Sequence, residues 1–287
     1  MIRLKFALLL LCTSAAAAQT AATPASPIVN PHPYTMLYVF GDSYSDSGSG
    51  YVDGNGPTAV VYLAQRLGIP FTWYGDPNST GKGLNFAVSG AQTGAGNGPR
   101  YPTGEMLGLG MQNQVDNFVL FTKLGFIPKV DPDNTLFFFA GGLNDRGKPE
   151  GFSRSNIEAE IDTLYELGAR RFMVALLPTQ IPQFATAGTA FNPEISRIPE
   201  EERARHPDIR IALSNWGLYM DDIITHPAKF GITDTTHACA GRFIHHEDTT
   251  PCPDPDAHFF YHSGHPSTAV HRIVGDMLYQ EATTHAP

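Results

Sequence analysis

Four residues of this 287-residue chain are suited to acyl transfer. Ser43 lies in GDSYSDSG, Gly90 in NFAVSGA, Asn144 in GGLND, and His265 in HSGHPST. Acyl transfer by a serine requires a nucleophile, hydrogen-bond donors aimed at the developing oxyanion, and a histidine that carries the proton. The question is whether the fold brings these segments together.

Five apolar runs of strand length alternate with segments of helical periodicity. The runs are TMLYVF, LNFAV, NTLFFFA, RRFMVALLP and IRIALSN. They are apolar on successive residues, which indicates strands buried on both faces. Strand–helix alternation with such burial predicts a parallel α/β sheet. Ligands bind outside the carboxyl ends of such strands. Ser43, Gly90 and Asn144 each follow a run closely, so we expect them at one rim, and His265 precedes the last predicted helix.

The amino terminus has the pattern of a secretory signal peptide. Arg3 and Lys5 precede the apolar run FALLLLCTSAAAA, which is too short to span a bilayer. We expect a signal peptide over residues 1–18, a flexible Pro-, Ala- and Thr-rich segment over 19–33, and one domain over 34–287. Cys12 leaves a lipoprotein as an alternative, although Leu11 precedes it where a small residue is expected. The protein is then secreted or periplasmic, with no transmembrane segment.

Composition and charge exclude several classes of protein. The chain is 42% hydrophobic and 16% charged, with 28 Gly and 23 Pro, which is an ordinary globular composition. Without residues 1–18 it carries 17 Lys and Arg against 28 Asp and Glu, a net charge of −11. Such an acidic surface repels phosphate backbones, so no nucleic-acid partner is expected. The sequence indicates no protein partner. Cys239 and Cys252 are expected to form a disulfide in an oxidising compartment.

Two late stretches are less regular than the rest. Residues 178–208 and 232–264 either shape a substrate pocket or are extended surface loops. The late histidines suggest a metal, but no H-E-x-x-H or paired Cys-x-x-Cys spacing is present. We therefore expect neither a metal nor a cofactor. The histidines considered are His237, His245, His246, His258, His262, His265 and His271.

The blocks FGDSYSDSG, NFAVSGA, GGLND and HSGHPS resemble, in that order, the four blocks of the GDSL or SGNH hydrolases, a family of serine esterases and lipases. The resemblance covers residues 38–282. It implies a three-layer α/β/α sandwich, flavodoxin-like, with a five-stranded, mainly parallel sheet. It is closer to the lipolytic, plant-like branch than to the short rhamnogalacturonan-esterase type.

The resemblance also implies a role for each residue. Ser43 would be the nucleophile and, through its backbone N–H, the first oxyanion donor. Gly90 would supply a second backbone donor and Asn144 a third from its side-chain amide. His265 would be the general base. Asp46 is expected to cap a following helix.

One position departs from the family pattern. The family usually carries Asp three residues before the histidine, and here His262 occupies that position. Loss of the corresponding acid in other serine hydrolases lowers kcat by about 10⁴. Three explanations remain open. In the first, the ring N–H of His265 donates to a backbone carbonyl, a water molecule or a bound anion. In the second, Asp254 or Asp256 folds back toward His265. In the third, neutral His262 orients His265, or catalysis is impaired.

The function expected is a secreted serine esterase or lipase that hydrolyses carboxylic esters through an acyl-enzyme on Ser43. Its substrate would be a small-molecule or lipid ester. Carbohydrate acetylesterase and phospholipase or acyltransferase activities remain alternatives within the family. A non-catalytic binding protein on the same fold is an alternative of another class, supported by the missing Asp.

Overall fold

The computed structural model describes residues 32–98, 100, 104–284 and 287. The predicted signal peptide and most of the predicted flexible segment lie outside these residues. Among the residues described, no helix is long and apolar enough to cross a membrane. The strands are β1 (Met36–Gly41), β2 (Thr72–Trp73), β3 (Gly83–Asn85), β4 (Thr135–Ala140), β5 (Arg171–Ala175), β6 (Arg210–Ser214), β7 (Asp234–Ala238), β8 (His258–His262) and β9 (His265–Pro266). The helices are α1 (Ala59–Arg66), α2 (Met111–Lys123), α3 (Phe152–Glu166), α4 (Ala185–Ile195), α5 (Ile198–Arg205), α6 (Trp216–Thr225) and α7 (Thr268–Thr284).

The central sheet has the order β2-β3-β1-β4-β5-β6, and all of its strand pairs are parallel. Its helices pack in two groups, α1 with α6 and α7, and α2 with α3, α4 and α5. Every residue of β1 and β4 is buried, as expected for strands covered on both faces. The α/β class is therefore confirmed. The number of strands is corrected from five to six, because the edge strand β2 has only two residues and leaves no periodic pattern in the sequence.

The two irregular stretches contain more regular structure than the sequence indicated. Residues 178–208 hold α4 and α5, so they are not an extended loop. The second stretch contributes to a separate sheet of order β7-β8-β9. Within that sheet β8 and β9 are antiparallel, and His262 pairs with His265 across a two-residue turn. Gly264 in this turn has φ +74°, a conformation that favours glycine.

Three loops at the carboxyl ends of the strands are tied together by two buried carboxylates. Asp46 accepts hydrogen bonds from the backbone N–H groups of Gly48, Ser49, Gly50 and Ser89. It therefore caps no helix, contrary to expectation, because α1 begins only at Ala59.

Asp145 accepts hydrogen bonds from the Thr93 N–H, the Thr93 hydroxyl and the Ser153 hydroxyl. Asp46 joins the loop after β1 to the loop after β3, and Asp145 joins the latter to the loop after β4.

Candidate active site

Ser43 and His265 meet at the carboxyl end of β1. The turn after β1 is closed by hydrogen bonds from the N–H groups of Ser45 and Asp46 to the Asp42 carbonyl, both 3.0 Å. The Ser43 Oγ lies 2.8 Å from Nε2 of His265. His265 reaches this position because the Tyr44 hydroxyl donates a hydrogen bond to the carbonyl of Gly264, at 2.5 Å. The two residues are thus in contact although 222 positions separate them in the sequence.

The expected oxyanion donors lie in the loops that surround Ser43. Within the described residues, the backbone N–H groups of Ser43 and Gly90 make no hydrogen bond, so both remain free to donate. Gly90 has φ +77°, a conformation that side chains disfavour. The Asn144 side-chain amide donates to the carbonyl of Ala91 at 2.9 Å, which links it to the Gly90 loop and leaves its second N–H available.

A carboxylate that the sequence analysis did not identify lies beside His265. Asp53 is buried, with its Oδ2 3.3 Å from Nε2 of His265 and its Oδ1 2.8 Å from Nδ1 of His262. Arg242 Nε donates to the same Oδ1 at 2.9 Å. Burial alone raises the pKa of Asp53. The hydrogen bond from His262 and the charges of His265 and Arg242 outweigh burial, so the pKa is lowered and the carboxylate is ionised.

The structure does not bring Asp254 and Asp256 to His265. Both residues precede β8, whereas His265 follows it. Five extended residues span about 17 Å. The antiparallel pairing of β8 with β9 keeps His265 beside His262, at the far end of β8 from the two aspartates. The carboxylate beside His265 is instead that of Asp53, in the loop between β1 and α1, and His262 is its hydrogen-bond partner.

Arg242 and the backbone of Ser263 contact the other ring nitrogen of His265. The Arg242 Nη2 lies 2.5 Å from Nδ1 and donates to the Ser263 carbonyl at 2.6 Å. The Ser263 carbonyl is itself 3.3 Å from Nδ1. Arginine can only donate hydrogen bonds, so contact with Arg242 requires an unprotonated Nδ1. Donation from Nδ1–H to Ser263 leaves Nε2 unprotonated and able to accept the Ser43 proton.

The pKa of His265 is set mainly by its surroundings. Burial lowers the pKa to about 4; Asp53 opposes this shift, whereas the charges of Arg242 and His262 add to it. His265 is therefore neutral at neutral pH, the state that a general base requires. Phe184 lies edge-on to the His265 ring with centroids 6.2 Å apart, so the segment before α4 covers this side of the imidazole.

The loop that contains Arg242 has a cysteine at each end. The sulfur atoms of Cys239 and Cys252 lie 2.11 Å apart, at disulfide-bond distance, and the expected pair is therefore adjacent. Arg242 lies within this loop. Sequence reasoning missed both Asp53 and Arg242. The one signal in the sequence was His262, which stands where the family carries Asp. It indicated that a carboxylate beside His265 had to come from another part of the chain.

Comparison with known proteins places this geometry in a family. The family model described as GDSL-like lipase/acylhydrolase matches residues 37–278. A GDSL esterase/lipase of Arabidopsis thaliana is 24% identical over 317 aligned positions, which cover 85% of this chain and 86% of the relative. The A. thaliana GDSL esterase/lipase EXL3 is 24% identical over 275 positions, covering 79% and 75% of the two chains.

Among solved structures, the psychrotrophic esterase EstA from Pseudoalteromonas sp. matches with a TM-score of 0.47 and 14% identity, over 88% of this chain and 98% of that one. The family match covers most of the chain and all four motif blocks. The chain belongs to the GDSL-like lipase/acylhydrolase family and is a carboxylic ester hydrolase.

Proposed function

We propose that the protein is an exported serine esterase of the lipolytic type, acting through an acyl-enzyme on Ser43. The observation that carries this proposal is the 2.8 Å contact between Ser43 Oγ and His265 Nε2 beside the Asp53 carboxylate. The Ser43 oxygen attacks the ester carbonyl carbon, and its proton passes to Nε2. The N–H groups of Ser43, Gly90 and Asn144 stabilise the oxyanion.

The same groups complete acylation and then carry out deacylation. Protonated His265 gives its proton to the departing alcohol, and the acyl group remains on Ser43. In deacylation a water molecule gives a proton to Nε2 as its oxygen attacks the acyl carbon; the acyl–Oγ bond then breaks, His265 returns the proton to Ser43 Oγ, and the carboxylic acid leaves. In both halves His265 becomes an imidazolium, and ionised Asp53 stabilises that charge from 3.3 Å.

Ser263 and Asp53 together take over the work of the missing aspartate. The Ser263 carbonyl holds the proton on Nδ1, and Asp53 supplies the negative charge. The proposal thus takes up the first of the three explanations, a backbone carbonyl as acceptor, and adds a carboxylate. Sugar-ester deacetylation and phospholipase or acyltransferase activity remain alternatives for the substrate.

The contact of Arg242 with Nδ1 favours one second candidate, a binding protein that retains the fold. While Arg242 donates to Nδ1, the Nε2 proton points to Ser43 and the imidazole is not a base. Labelling with a fluorophosphonate separates the two, because only an activated serine reacts. Rapid labelling of the native protein, absent in Ser43→Ala, supports the esterase.

The deciding experiment is hydrolysis of p-nitrophenyl esters from acetate to palmitate, with Ser43→Ala in parallel. Loss of activity in the variant supports the acyl-enzyme. A preference for acetate points to deacetylation, and a preference for eight carbons or more points to lipolysis. Activity equal to that of the variant at every chain length contradicts the proposal.

The proposal also includes export. A signal peptide over residues 1–18 and one domain from residue 34 onward remain predictions from the sequence. Amino-terminal sequencing of the protein recovered outside the cytoplasm tests them, with Gln19 expected as the first residue. A protein that begins at Met1 in the cytoplasm contradicts export.

A further inference from the structure

Helices α3 and α5 bring together a histidine and two carboxylates away from the active site. The Nε2 of His206 lies 2.7 Å from Oδ1 of Asp162 and 3.9 Å from Oε2 of Glu202. One ligand atom from each of the three residues lies within 4.8 Å of the other two. Glu202 and His206 are four residues apart, so they share one face at the end of α5.

One carboxylate oxygen of Glu202 has no hydrogen-bond partner among the described residues. The residue is fully buried, and its Oε1 pairs with the Arg205 guanidinium. Its Oε2 makes no hydrogen bond in the described part of the chain and is the oxygen nearest to His206. A buried carboxylate oxygen without a donor costs free energy, and a bound cation would remove that cost.

We propose that Asp162, Glu202 and His206 form a zinc site that joins α3 to α5. A tetrahedral Zn²⁺ with bonds of about 2.1 Å holds its ligand atoms about 3.4 Å apart. The distances of 2.7 Å and 3.9 Å from His206 lie on either side of that value, so shifts of less than 1 Å bring both pairs to it, and the two carboxylate oxygens already lie within 4.8 Å of each other. Water would complete the four ligands.

The donor set selects the metal. One imidazole nitrogen with two carboxylate oxygens suits Zn²⁺, whereas Ca²⁺ and Mg²⁺ prefer oxygen ligands alone. Tyr165 stacks on His206 with ring centroids 3.9 Å apart and holds the imidazole in place. The side chain of Asp162 is 45% exposed, so an ion can enter from solvent.

Arg205 is the competing cation. Its guanidinium lies 3.8 Å from Asp162 and from Glu158, and it pairs with Glu202 through Oε1. The pair with Oε1 leaves Oε2 free, so Arg205 can remain as an outer partner of a metal-bound Glu202. The site is independent of the esterase reaction, because its ligands contact neither Ser43 nor His265.

The test is calorimetric titration of the mature, EDTA-stripped and dialysed protein with ZnCl₂. An exposed histidine elsewhere can also take up zinc as a single ligand, so the measured quantity is the number of equivalents lost on substitution. His206→Gln and Glu202→Gln are each expected to remove one equivalent or weaken it at least tenfold. Zinc is expected to raise the melting temperature of the native protein, and less so in these variants.

The matched control is His226→Gln. His226 Nδ1 lies 2.9 Å from Asp222 Oδ1, so it forms a similar histidine–aspartate pair, and the described residues place no second carboxylate with it. It is expected to retain the full stoichiometry. Equal zinc binding by native and His206→Gln protein, or an equal loss in His226→Gln, overturns the proposal. Ester hydrolysis by His206→Gln should match the native rate, which separates failure here from failure of the esterase proposal.

Discussion

Replacement of Asp53 by asparagine tests the central electrostatic feature of the site. The side chains are of the same size, so the variant removes charge with little change in shape. At 3.3 Å and an effective dielectric constant of about 20, the attraction between Asp53 and a His265 imidazolium is about 5 kcal/mol. Arg242 and His262 share the carboxylate, so we take about half of this value as the net loss.

A loss of about 2.5 kcal/mol corresponds to a decrease in kcat of about 70-fold. This is far less than the 10⁴-fold loss seen when the aspartate of other triads is changed. The difference arises because Asp53 faces Nε2 and does not set the tautomer through Nδ1. Removal of the carboxylate also lowers the pKa of His265 further, since Asp53 opposes the effect of burial.

The assay is kcat for p-nitrophenyl butyrate at pH 7.5, with the titration midpoint of His265 followed by NMR of its ring protons. His262→Asp in the Asp53→Asn background restores a carboxylate at the family position, and we expect it to recover most of the lost rate. His262→Asp in the native background should change the rate less than tenfold, because Asp53 already supplies the charge. A decrease below threefold in Asp53→Asn, with the His265 midpoint unchanged, refutes an electrostatic role for Asp53.

Three further substitutions test other parts of the structure. Asn144→Ala should lower kcat by about 10²- to 10³-fold with KM little changed, because one oxyanion donor is lost. A rise in KM by the same factor would contradict this role. Arg242→Met should raise the pKa of His265, the opposite of Asp53→Asn, since the Arg242 charge lowers it; an unchanged NMR midpoint would argue against the contact. Glu160→Gln should stabilise the protein by about 1–3 kcal/mol at pH 8, measured by urea unfolding. Burial holds the pKa of Glu160 well above 4.5. The free energy of unfolding of the native protein therefore falls as the pH rises above the pKa that this carboxyl has in the unfolded state. The gain should vanish near pH 4, and a gain independent of pH would show that ionisation is not its cause.

Much of the candidate site could be predicted from the sequence because its signals are local. Ser43, Gly90 and Asn144 each follow a buried strand closely, and the fold places such loops at one edge of the sheet. His265 carried a recognisable motif before the last helix. For these residues, short segments of sequence contained both the chemistry and its position.

Asp53 and Arg242 could not be predicted in the same way. Asp53 lies in the irregular loop before α1 and meets His262 across 209 positions of sequence. Arg242 lies in another irregular loop, and its contact with Asp53 spans 189 positions. Tertiary packing alone brings them together, so no periodicity or spacing reveals the contact.

Helix α4 and strand β2 escaped prediction for different physical reasons. Helix α4 contains Gly188 and Pro193, both poor helix formers, so its sequence resembles a loop. It forms because it packs against α3 and buries Phe191 and Ile195. Strand β2 is too short for any pattern to identify it.

The proposed base belongs to a different sheet from the proposed nucleophile. Ser43 follows a central, fully buried strand, whereas His265 forms β9 at the edge of a small sheet whose β7 has three exposed residues. Local opening requires less free energy than global unfolding where few apolar contacts are lost. Phe259 and Phe260 hold β8 in the hydrophobic core, so heating is expected to open the exposed end of β7 and the 239–252 loop before β8 leaves the central sheet. The surroundings of His265 are therefore expected to change on heating before the chain unfolds as a whole.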